Sequence, residues 1–470
     1  MDTTWNAVRV IPEFRDDYYF IHITDTHLPT HLFYYESGAD TDTSEINDFR
    51  AVIDDIDIIN PEFVLLTGDL INEGELEDYL FRRYYSRAQR LLAESRIPIY
   101  LTSGNHDIGG WDATPAPDGI ARRDWWRFFG WGRLDNPPSG APWYTQNYSF
   151  DYGPVHFVGL EAYINYDNWR PSIYGDESFT NGQMDWLDDD LAAASGSAAQ
   201  VLFYHYDFSD QINLNALGVE MALWGHVHSN SGNLSSRPYD LATNNTCDGA
   251  RSYRLIRVQD GNLMPTATIS AGSSGSNLEV DFSPANDGTH TSVTAGIDNN
   301  HDERFEYALL RFLMPGSSVS VIGGNLVQVD DSGPVAVCYV TVDILANSYQ
   351  TVTVSVNENT GPPAAVADLT AALAADAVHL SWSAVTEDTA GTPITVDHYV
   401  IYRHADPNFT PIPSDSMGHA TGNVYEDATP ALKDTGINHY YVVRAVDDQD
   451  RKAADSNTAG EFDLDMITAP

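Results

Sequence analysis

Five short apolar segments of this chain each end abruptly at an aspartate, an asparagine or a histidine. Their β-branched and aromatic residues are typical of buried strands, and the polar residues stand where each strand would end. In an open α/β sheet, ligands bind at the carboxyl ends of the strands. We therefore expect a binding site at these ends. The segments and their closing residues are 17–24 with Asp25 and His27, 63–67 with Asp69, 97–103 with Asn105 and His106, 201–204 with His205, and 221–224 with His226 and His228.

Helical spacing of apolar residues follows the first two of these strands. A strand–helix–strand–helix–strand order predicts parallel pairing through right-handed crossovers, and hence an α/β fold. The predicted helices cover residues 44–59, 75–93 and 181–194.

His156 lies inside a predicted strand, 155–161. We expect it to be a core histidine with satisfied ring nitrogens rather than a metal ligand.

Helical signals fade beyond about Ser229. Residues 252–258 and 266–270 are predicted as further strands of the first domain, and 307–356 is rich in strand-forming residues. The polar, Gly- and Pro-containing stretch 357–363 is predicted to be a linker. We therefore expect three parts: an α/β domain over 1–285, a β-rich extension over 286–360 and a β-sandwich over 361–470.

The C-terminal part consists of short strands separated by turn residues. Pro362-Pro363 at its entry, Trp382 in its second strand and the late strand 441–446 resemble a fibronectin type III module. The resemblance covers only this part of the chain and implies a β-sandwich. Whether the module contacts a carbohydrate or a protein surface stays open.

The composition is strongly acidic. The chain carries 68 aspartates and glutamates against 24 lysines and arginines, a formal net charge of −44. Such a surface repels nucleic acid and anionic membranes, so no nucleic-acid polymer is an expected partner. No apolar run is long enough to span a bilayer, and residues 1–10 lack the apolar core of a signal peptide. We expect an extracytoplasmic protein, periplasmic or secreted, whose signal peptide is absent from this sequence.

Two cysteines, Cys247 and Cys338, allow one disulfide at most. Neither has the CxxC partner that is typical of a thiolate zinc site. Whether the two cysteines pair stays open.

The closing residues of the five strands form a donor set for two divalent cations. Mixed carboxylate, amide and imidazole ligands suit Mn, Fe or Zn, and the absence of thiolates argues against a structural zinc site. Two cations about 4 Å apart repel each other strongly unless an anion lies between them, so one carboxylate has to bridge. A hydroxide held between the ions would then serve as the nucleophile. The candidate ligands are Asp25, His27, Asp69, Asn105, His205, His226 and His228.

The ordered blocks Asp-x-His, Gly-Asp, Gly-Asn-His-Asp, His and Gly-His-x-His resemble the calcineurin-like metallophosphoesterase superfamily. The resemblance covers residues from about Phe20 to Ser229, and every block is present. It implies an αββα sandwich of mixed sheets and makes the first domain, 1–285, the catalytic one. It also implies in-line attack of the bridging hydroxide on the phosphorus of a small phosphorylated substrate.

The same resemblance implies a role for each residue. One metal takes Asp25, His27, Asp69 and His228, and the other takes Asp69, Asn105, His205 and His226. Asp69 is thus the bridge. His106 is not a ligand in this scheme but a general acid or electrostatic stabiliser facing the phosphoryl or leaving-group oxygen.

The sequence departs from purple acid phosphatases at one place. Leu70-Ile71-Asn72 follows Asp69 without the tyrosine that ligates ferric iron in those enzymes, which argues against an Fe(III)-tyrosinate site. The remaining motifs do not separate phosphomonoesters from phosphodiesters. A nucleotide or sugar-nucleotide pyrophosphatase or nucleotidase stays an alternative. So does an extracellular binding protein with a structural metal site, although an intact His106 argues against it.

The stretch 109–142 is rich in aromatic residues, Gly and Pro and shows no regular pattern. Such a segment after a site loop is typical of a lid or functional loop, although its aromatics could equally pack a subdomain. The arginines of this stretch are candidates for holding a phosphate, with surface ion pairs as the alternative, and three tryptophans are candidates for stacking on a base. They are Arg122, Arg123 and Arg127, and Trp125, Trp126 and Trp169.

Overall fold

The computed structural model divides the chain into two compact units, Met1–Ser355 and Val356–Pro470. Each unit is described by itself below. The residues that the structure describes are 14–29, 43–72, 74, 83–108, 125, 128–129, 147–162, 181–272, 278–357, 361–374, 377–434, 436–448 and 450–461.

The first unit begins as an α/β structure and ends as a β structure. Its α/β elements are β1 (Tyr18–Ile23), α1 (Ser44–Ile59), β2 (Val64–Thr67), α2 (Tyr84–Leu92), β3 (Ile99–Thr102), α3 (Asn105–Ile108), β4 (Tyr148–Tyr152), β5 (Val155–Gly159), α4 (Asn181–Ala193), β6 (Ala199–Phe203), α5 (Leu214–Leu217), β7 (Met221–Trp224), β8 (Tyr239–Ala242), β9 (Ser252–Gln259) and β10 (Asn262–Ser270). Its remaining strands are β11 (Leu278–Ser283), β12 (Ser292–Asn299), β13 (Phe305–Met314), β14 (Val319–Ile322), β15 (Asn325–Asp330), β16 (Ala336–Ile344) and β17 (Ser348–Val356).

Two five-stranded sheets of mixed direction form the α/β part, in the orders β10-β9-β1-β2-β3 and β4-β5-β6-β7-β8. In the first sheet β1, β2 and β3 are parallel, as predicted, and β9 and β10 are antiparallel additions beside β1. In the second sheet only β4 runs antiparallel to its neighbour. All the strand ends with predicted site residues therefore belong to parallel strands.

An apolar core lies between the two sheets. Phe20, Leu65 and Ile256 of the first sheet belong to the same buried cluster as Phe157 and Met221 of the second. The burial of such large apolar side chains is the main stabilising contribution to this arrangement, at about 1.5–3 kcal/mol for each side chain.

Helices supply further apolar surface. Helix α4 places Leu187 and Leu191 in a second cluster with Val158, Leu202 and Ala222 of the second sheet. Helix α1 has the bounds that its apolar spacing predicts, and it buries Phe49, Val52, Ile53, Ile56 and Ile59. Among the residues that the structure describes, none of the helices combines the length and the apolar character needed to cross a bilayer.

Two further sheets complete the first unit. Their strand orders are β11-β12-β17-β14 and β13-β16-β15. Alternate residues of β13 and β16 are buried, as in strands with one face toward a core. Cys338 of β16 and Cys247 are both buried, and neither forms a disulfide.

The second unit is a β structure with two sheets. Its strands are β18 (Thr370–Ala374), β19 (Ala377–Ser381), β20 (Val396–His404), β21 (Ser416–Ala420), β22 (Val424–Asp427), β23 (His439–Asp447) and β24 (Ala459–Glu461). The sheets have the orders β18-β19-β22 and β21-β20-β23-β24. Leu380 of the first sheet and Trp382, just after its strand β19, share a buried cluster with Tyr399 and Tyr441 of the second sheet, so the two sheets have a common core.

Candidate metal centre

The structure brings together all eight predicted site residues. Each follows the carboxyl end of a strand: two follow β1, one follows β2, two open α3 after β3, one follows β6 and two follow β7. Both sheets therefore contribute to one site. The residues are Asp25, His27, Asp69, Asn105, His106, His205, His226 and His228.

Backbone hydrogen bonds continue beyond the strands and fix the loops to one another. The N–H of Asp25 donates to the carbonyl of Gly68 at 3.2 Å, and the N–H groups of Thr26 and His27 both donate to the carbonyl of Asp69 at 3.0 Å. Across the sheets, the N–H of His226 donates to Oδ2 of Asp25 at 2.9 Å. The donor side chains are therefore carried by loops with few alternative conformations.

Five of the seven predicted ligands have left-handed backbone. Their φ angles are 51° at Asp25, 46° at His27, 48° at Asp69, 71° at His226 and 47° at His228. Residues other than glycine adopt this region at a cost of about 1 kcal/mol or more, and such residues cluster at functional sites. The fold tolerates this strain because surrounding hydrogen bonds hold the loops.

Two glycines let the loops approach one another. A Cβ at Gly104 would lie 2.2 Å from Oδ1 of Asp69, and a Cβ at Gly225 would lie 1.8 Å from Oγ1 of Thr24. No side chain fits at either position. The glycines of the Gly-Asn-His-Asp and Gly-His-x-His blocks are thus required by the packing of the site itself.

One donor group consists of Asp69, His205 and His226. Nε2 of His205 lies 3.1 Å from Oδ2 of Asp69 and 3.2 Å from Nδ1 of His226. Oδ1 of Asn105 lies 3.1 Å from the same nitrogen of His226. His205 donates from Nδ1 to the carbonyl of Thr67 at 2.8 Å, which directs its other nitrogen toward the group.

A second donor group adjoins the first at Asp69. Nε2 of His27 lies 3.8 Å from Oδ2 of Asp69 and 3.3 Å from Nε2 of His228. The same nitrogen of His228 lies 3.4 Å from Oδ1 of Asp25. Asp69 is therefore the carboxylate that the two groups share.

The pKa shifts follow from burial and from these neighbours. Burial opposes ionisation of Asp69, but His205 and His106 outweigh it and hold the pKa of Asp69 well below its usual range. Burial also disfavours protonation of His205, yet Asp69 overcomes this and raises the pKa of His205 to about 9. Burial and the neighbouring His205 lower the pKa of His226 to about 4. Near neutral pH these shifts combine an ionised carboxylate on Asp69 with a protonated imidazole on His205 and a neutral imidazole on His226.

His106 lies beside both groups. A ring nitrogen of His106 is within 4.8 Å of the donor atoms of His27 and Asp69, which is close enough for the three side chains to contact the same ion. Its Nδ1 donates to the carbonyl of Asn72 at 2.5 Å. This hydrogen bond orients the ring and leaves Nε2 as the nitrogen that can take up or release a proton.

The residues fit a pair of divalent cations. Two pairs of imidazole nitrogens face each other at 3.2 and 3.3 Å, each beside a carboxylate oxygen. Lone pairs in this arrangement repel unless a proton or a cation lies between them. The buried Nδ2 of Asn105 has no hydrogen-bond partner among the described residues, whereas its Oδ1 faces the first group. Oxygen and nitrogen donors of this kind match the preferences of Mn, Fe and Zn.

Some residues of the site were not assigned a role from the sequence. Buried Asp107 accepts hydrogen bonds from the N–H of Gly104 at 2.8 Å and that of Ile71 at 3.0 Å, which fixes the loop after β2 to the loop after β3. Its place in the Gly-Asn-His-Asp block is a signal that could have identified it. The sulfur of Cys247 lies within 4.8 Å of nitrogens of His27 and His228, and no sequence pattern points to it.

The sequence also singled out residues beyond these eight. Trp125 is fully buried against Phe129, with ring centroids 4.4 Å apart, so the prediction that it stacks on a base is wrong. His156 is buried, with ring nitrogens 2.7 and 3.0 Å from Asp151 and Asp190, which confirms the predicted core histidine. Arg122, Arg123, Arg127, Trp126 and Trp169 lie outside the described residues.

Known proteins resemble the part of the chain that carries this site. The family model for calcineurin-like phosphoesterase matches residues 18–230. The serine/threonine-protein phosphatase CPPED1 of Bos taurus is 26% identical over 224 residues, which covers 42% of this chain and 63% of that protein. The match therefore spans less than two thirds of the bovine protein.

Two further matches are shorter or more distant. The DNA double-strand break repair protein Mre11 of Methanococcus maripaludis is 32% identical over 105 residues, or 22% of this chain and 27% of that protein. A dimetal phosphatase from Danio rerio is 14% identical with a TM-score of 0.37, and the match covers 54% of this chain and 99% of that chain. All eight residues of the donor groups thus lie within residues 18–230, the part of the chain that is similar to calcineurin-like phosphoesterases.

Proposed function

We propose that this protein is a hydrolase of phosphoesters that uses two divalent metal ions. The observation that carries the proposal is the position of Asp69, whose Oδ2 lies 3.1 Å from His205 and 3.8 Å from His27 and so joins two donor groups. A shared carboxylate is what two neighbouring cations require. The phosphatase relative and the calcineurin-like domain support the reaction class.

Each ion would have three ligands of its own and would share Asp69 with the other ion. Asp25, His27, Asp69 and His228 would hold one, and Asp69, Asn105, His205 and His226 would hold the other. When bound, two such ions supply a nucleophile from water at neutral pH and offset the negative charge that develops on the phosphoryl oxygens. Mn, Fe or Zn are the expected metals.

His106 would act on the leaving group. Its Nδ1 is committed to the carbonyl of Asn72, so Nε2 is the atom that holds or delivers a proton. The N–H of His106 also donates to Oδ1 of Asp69 at 3.0 Å, which fixes the residue beside the shared carboxylate. This placement supports a general acid or an electrostatic stabiliser rather than a ligand.

The proposal is tested by metal analysis together with hydrolysis assays. We expect about two transition-metal ions per chain, with chelator-sensitive hydrolysis of p-nitrophenyl phosphate or bis-p-nitrophenyl phosphate. The ratio of the two rates separates a phosphomonoesterase from a phosphodiesterase. Absence of metal binding and of turnover after addition of Mn, Zn and Fe would favour the alternative of an extracellular binding protein.

Nucleotides and sugar nucleotides are alternative substrates for the same donor set. A nucleotidase, or a pyrophosphatase acting on nucleotides or sugar nucleotides, uses the same chemistry on the same donor set. Release of inorganic phosphate from nucleoside monophosphates would support the first, and cleavage of a nucleoside diphosphate sugar would support the second. Hydrolysis of neither compound, with rapid cleavage of simple phosphoesters, would exclude both.

We also propose that residues 361–470 form a fibronectin type III-like module. The buried Trp382 and Tyr441, in a core common to two sheets, support this assignment. A carbohydrate or a protein surface is the contact we propose for it. Binding of the full chain to an array of glycans and matrix proteins tests the idea, and the absence of any bound component would oppose it.

A further inference from the structure

A loop beyond the family match forms one wall of the metal centre. Residues 245–251, between β8 and β9, lie against the loop that carries Asp25: the N–H of Thr246 donates to the carbonyl of Thr24 at 3.0 Å, and the N–H of Cys247 donates to the carbonyl of Asp25 at 3.1 Å. We call these residues the 245–251 loop. The calcineurin-like family model ends at residue 230, so this wall is a separate contribution of the chain.

Helix α1 holds the 245–251 loop from the other side. Glu45 accepts a hydrogen bond from the N–H of Asp248 at 3.0 Å, and Asp48 accepts one from the N–H of Gly249 at 2.7 Å. Asp48 also pairs with Nε of Arg251 at 2.7 Å. Both carboxylates are only 4% exposed, so these contacts are protected from water. The loop is therefore fixed both to the site and to the helix.

The 245–251 loop, held in this way, places the carboxylate of Asp248 near the ring nitrogen of His228 that faces away from the donor group. Oδ2 of Asp248 lies 3.7 Å from Nδ1 of His228, whereas Nε2 of the same ring faces His27 and Asp25 at 3.3 and 3.4 Å. One ring nitrogen thus points to the donor group and the other to a carboxylate. At 3.7 Å the carboxylate is within ion-pair distance of Nδ1 but beyond hydrogen-bond distance, so it acts on the ring through its charge. Histidine ligands of metals typically have a carboxylate or a carbonyl on this side, which favours a proton on the outer nitrogen.

We propose that Asp248 is a positioning residue for the metal-binding side chain of His228. The inference rests on the proposed function, because it assumes that His228 holds a metal ion. Asp248 favours the tautomer with the proton on Nδ1, so that the lone pair of Nε2 faces the ion. Loss of such a carboxylate typically weakens metal binding about 10–100-fold. Only the ion bound by His228 is expected to be affected.

The test is a calorimetric titration of the metal-free full chain with Mn²⁺. Asp248→Asn is the informative variant, because asparagine tolerates the left-handed backbone at this position, where φ is 55°. We expect one of two Mn²⁺ sites to weaken about 10–100-fold and the other to change less than about twofold.

Asp260→Asn is the matched control. Asp260 is an exposed aspartate with φ of 48°, in the turn between β9 and β10 and outside the metal-centre loops. The Mn²⁺ affinities of the Asp260→Asn variant are expected to equal those of the unmodified protein. The thermal midpoint of the metal-free Asp248→Asn chain should also be unchanged, which a merely structural role would not predict.

The outcomes distinguish two failures. If the unmodified chain binds no Mn²⁺, the proposed function is wrong and this inference fails with it. If the unmodified chain binds two ions and Asp248→Asn binds them equally well, the proposed function stands and the role of Asp248 is overturned. Should Asp248→Asn fail to fold, Asp248→Gly removes the carboxylate with a residue that also accepts left-handed backbone.

Discussion

The backbone N–H of His106 donates a hydrogen bond to Oδ1 of Asp69 at 3.0 Å. The residue proposed to handle the proton is therefore fixed to the carboxylate that the two donor groups share. Movement of either loop would disturb both functions. The proposed roles of the two side chains nevertheless differ, so substitution of Asp69 should lower metal content whereas substitution of His106 should lower activity alone.

Substitution of Asp69 should remove metal and activity together. Asp69→Asn retains the shape and tolerates the left-handed backbone, but it removes the charge that would separate two cations. We expect metal content to fall toward zero and hydrolysis of p-nitrophenyl phosphate to be lost. Mass spectrometry of bound metals gives the first quantity. Asp450→Asn, at an exposed aspartate with φ of 61°, is the control. Full metal content in Asp69→Asn would contradict the bridging role of Asp69.

Substitution of His106 should leave the metals in place. For His106→Ala we expect unchanged metal content and a kcat about 10²–10⁴-fold lower, because a positioned proton donor contributes a factor of this size. The loss should be greatest for alkyl phosphates, whose leaving groups need the proton most. Loss of metal from this variant would instead identify His106 as a ligand. His419→Ala, at an exposed histidine of the second unit, serves as the comparison.

A methyl group at Gly225 should disrupt the site. The Cβ of Gly225→Ala would lie 1.8 Å from Oγ1 of Thr24 and 2.5 Å from Oδ2 of Asp25, so the Asp25 loop has to move. We expect the free energy of unfolding to fall by about 1–3 kcal/mol and metal affinity to fall with it. Gly182→Ala in α4 is the control, because a Cβ there meets no atom within 4 Å. Equal stability of both variants in urea denaturation would refute the packing argument.

A buried carboxyl in α1 should make stability depend on pH. Burial raises the pKa of Asp55 from 3.8 to about 7, and Tyr253 donates to its Oδ2 at 3.1 Å. The folded protein therefore keeps a proton that the unfolded chain releases between about pH 4 and pH 7, so this group reduces stability as the pH rises through that range.

Asp55→Asn removes this dependence. We expect the variant to match the unmodified protein near pH 4. At pH 8 its free energy of unfolding should be higher by up to about 4 kcal/mol, because each tenfold change in proton affinity is about 1.4 kcal/mol. Urea denaturation across this range measures the difference. The control is Asp188→Asn, on the exposed side of α4, which should show no such trend. If the difference between Asp55→Asn and the unmodified protein were the same at every pH, the raised pKa of Asp55 would be disproved.

A polar cluster in the second unit should affect stability without affecting hydrolysis. Asp427 is 1% exposed and accepts hydrogen bonds from the hydroxyl of Tyr441 at 2.9 Å and from Nη1 of Arg403 at 2.7 Å. Asp427→Ala leaves both donors without this acceptor, and we expect a loss of about 2–3 kcal/mol in the unfolding of this unit. Calorimetry should show one transition lowered, with phosphoester hydrolysis unchanged. Exposed Asp448→Ala is the control, and a parallel loss of activity would contradict this separation.

Local pattern predicted most elements of the α/β part, because burial of one face sets their periodicity, but it did not predict strand β8 or the short helices α3 and α5. The apolar spacing from Ile46 to Ile59 predicts helix α1 with its observed bounds, and the strand ends with their donors are likewise local signals. Contacts between distant segments were not predictable in this way. Strand β9 pairs with β1, with Val258 opposite Tyr18, and no local pattern specifies that partner.

The same limit applies to the site. The donor residues are recognisable in the sequence because each stands at a strand end. Which donors lie next to each other depends on how the two sheets pack. The contact of Asp25 with His226, for example, joins positions 201 residues apart. Asp248 gives no local signal at all. It acquires its place through Glu45 and through the fold of the loop beyond β8.

The left-handed backbone at five donor positions also restricts how this centre could change during evolution. Glutamate and glutamine carry the same donor atoms as aspartate and asparagine, but they rarely adopt such φ angles, and β-branched residues almost never do. A single substitution that keeps both the backbone and a metal-binding atom is thus confined to aspartate, asparagine and histidine. Lineages that alter the chemistry of this domain should therefore change its surrounding loops before they change its ligands.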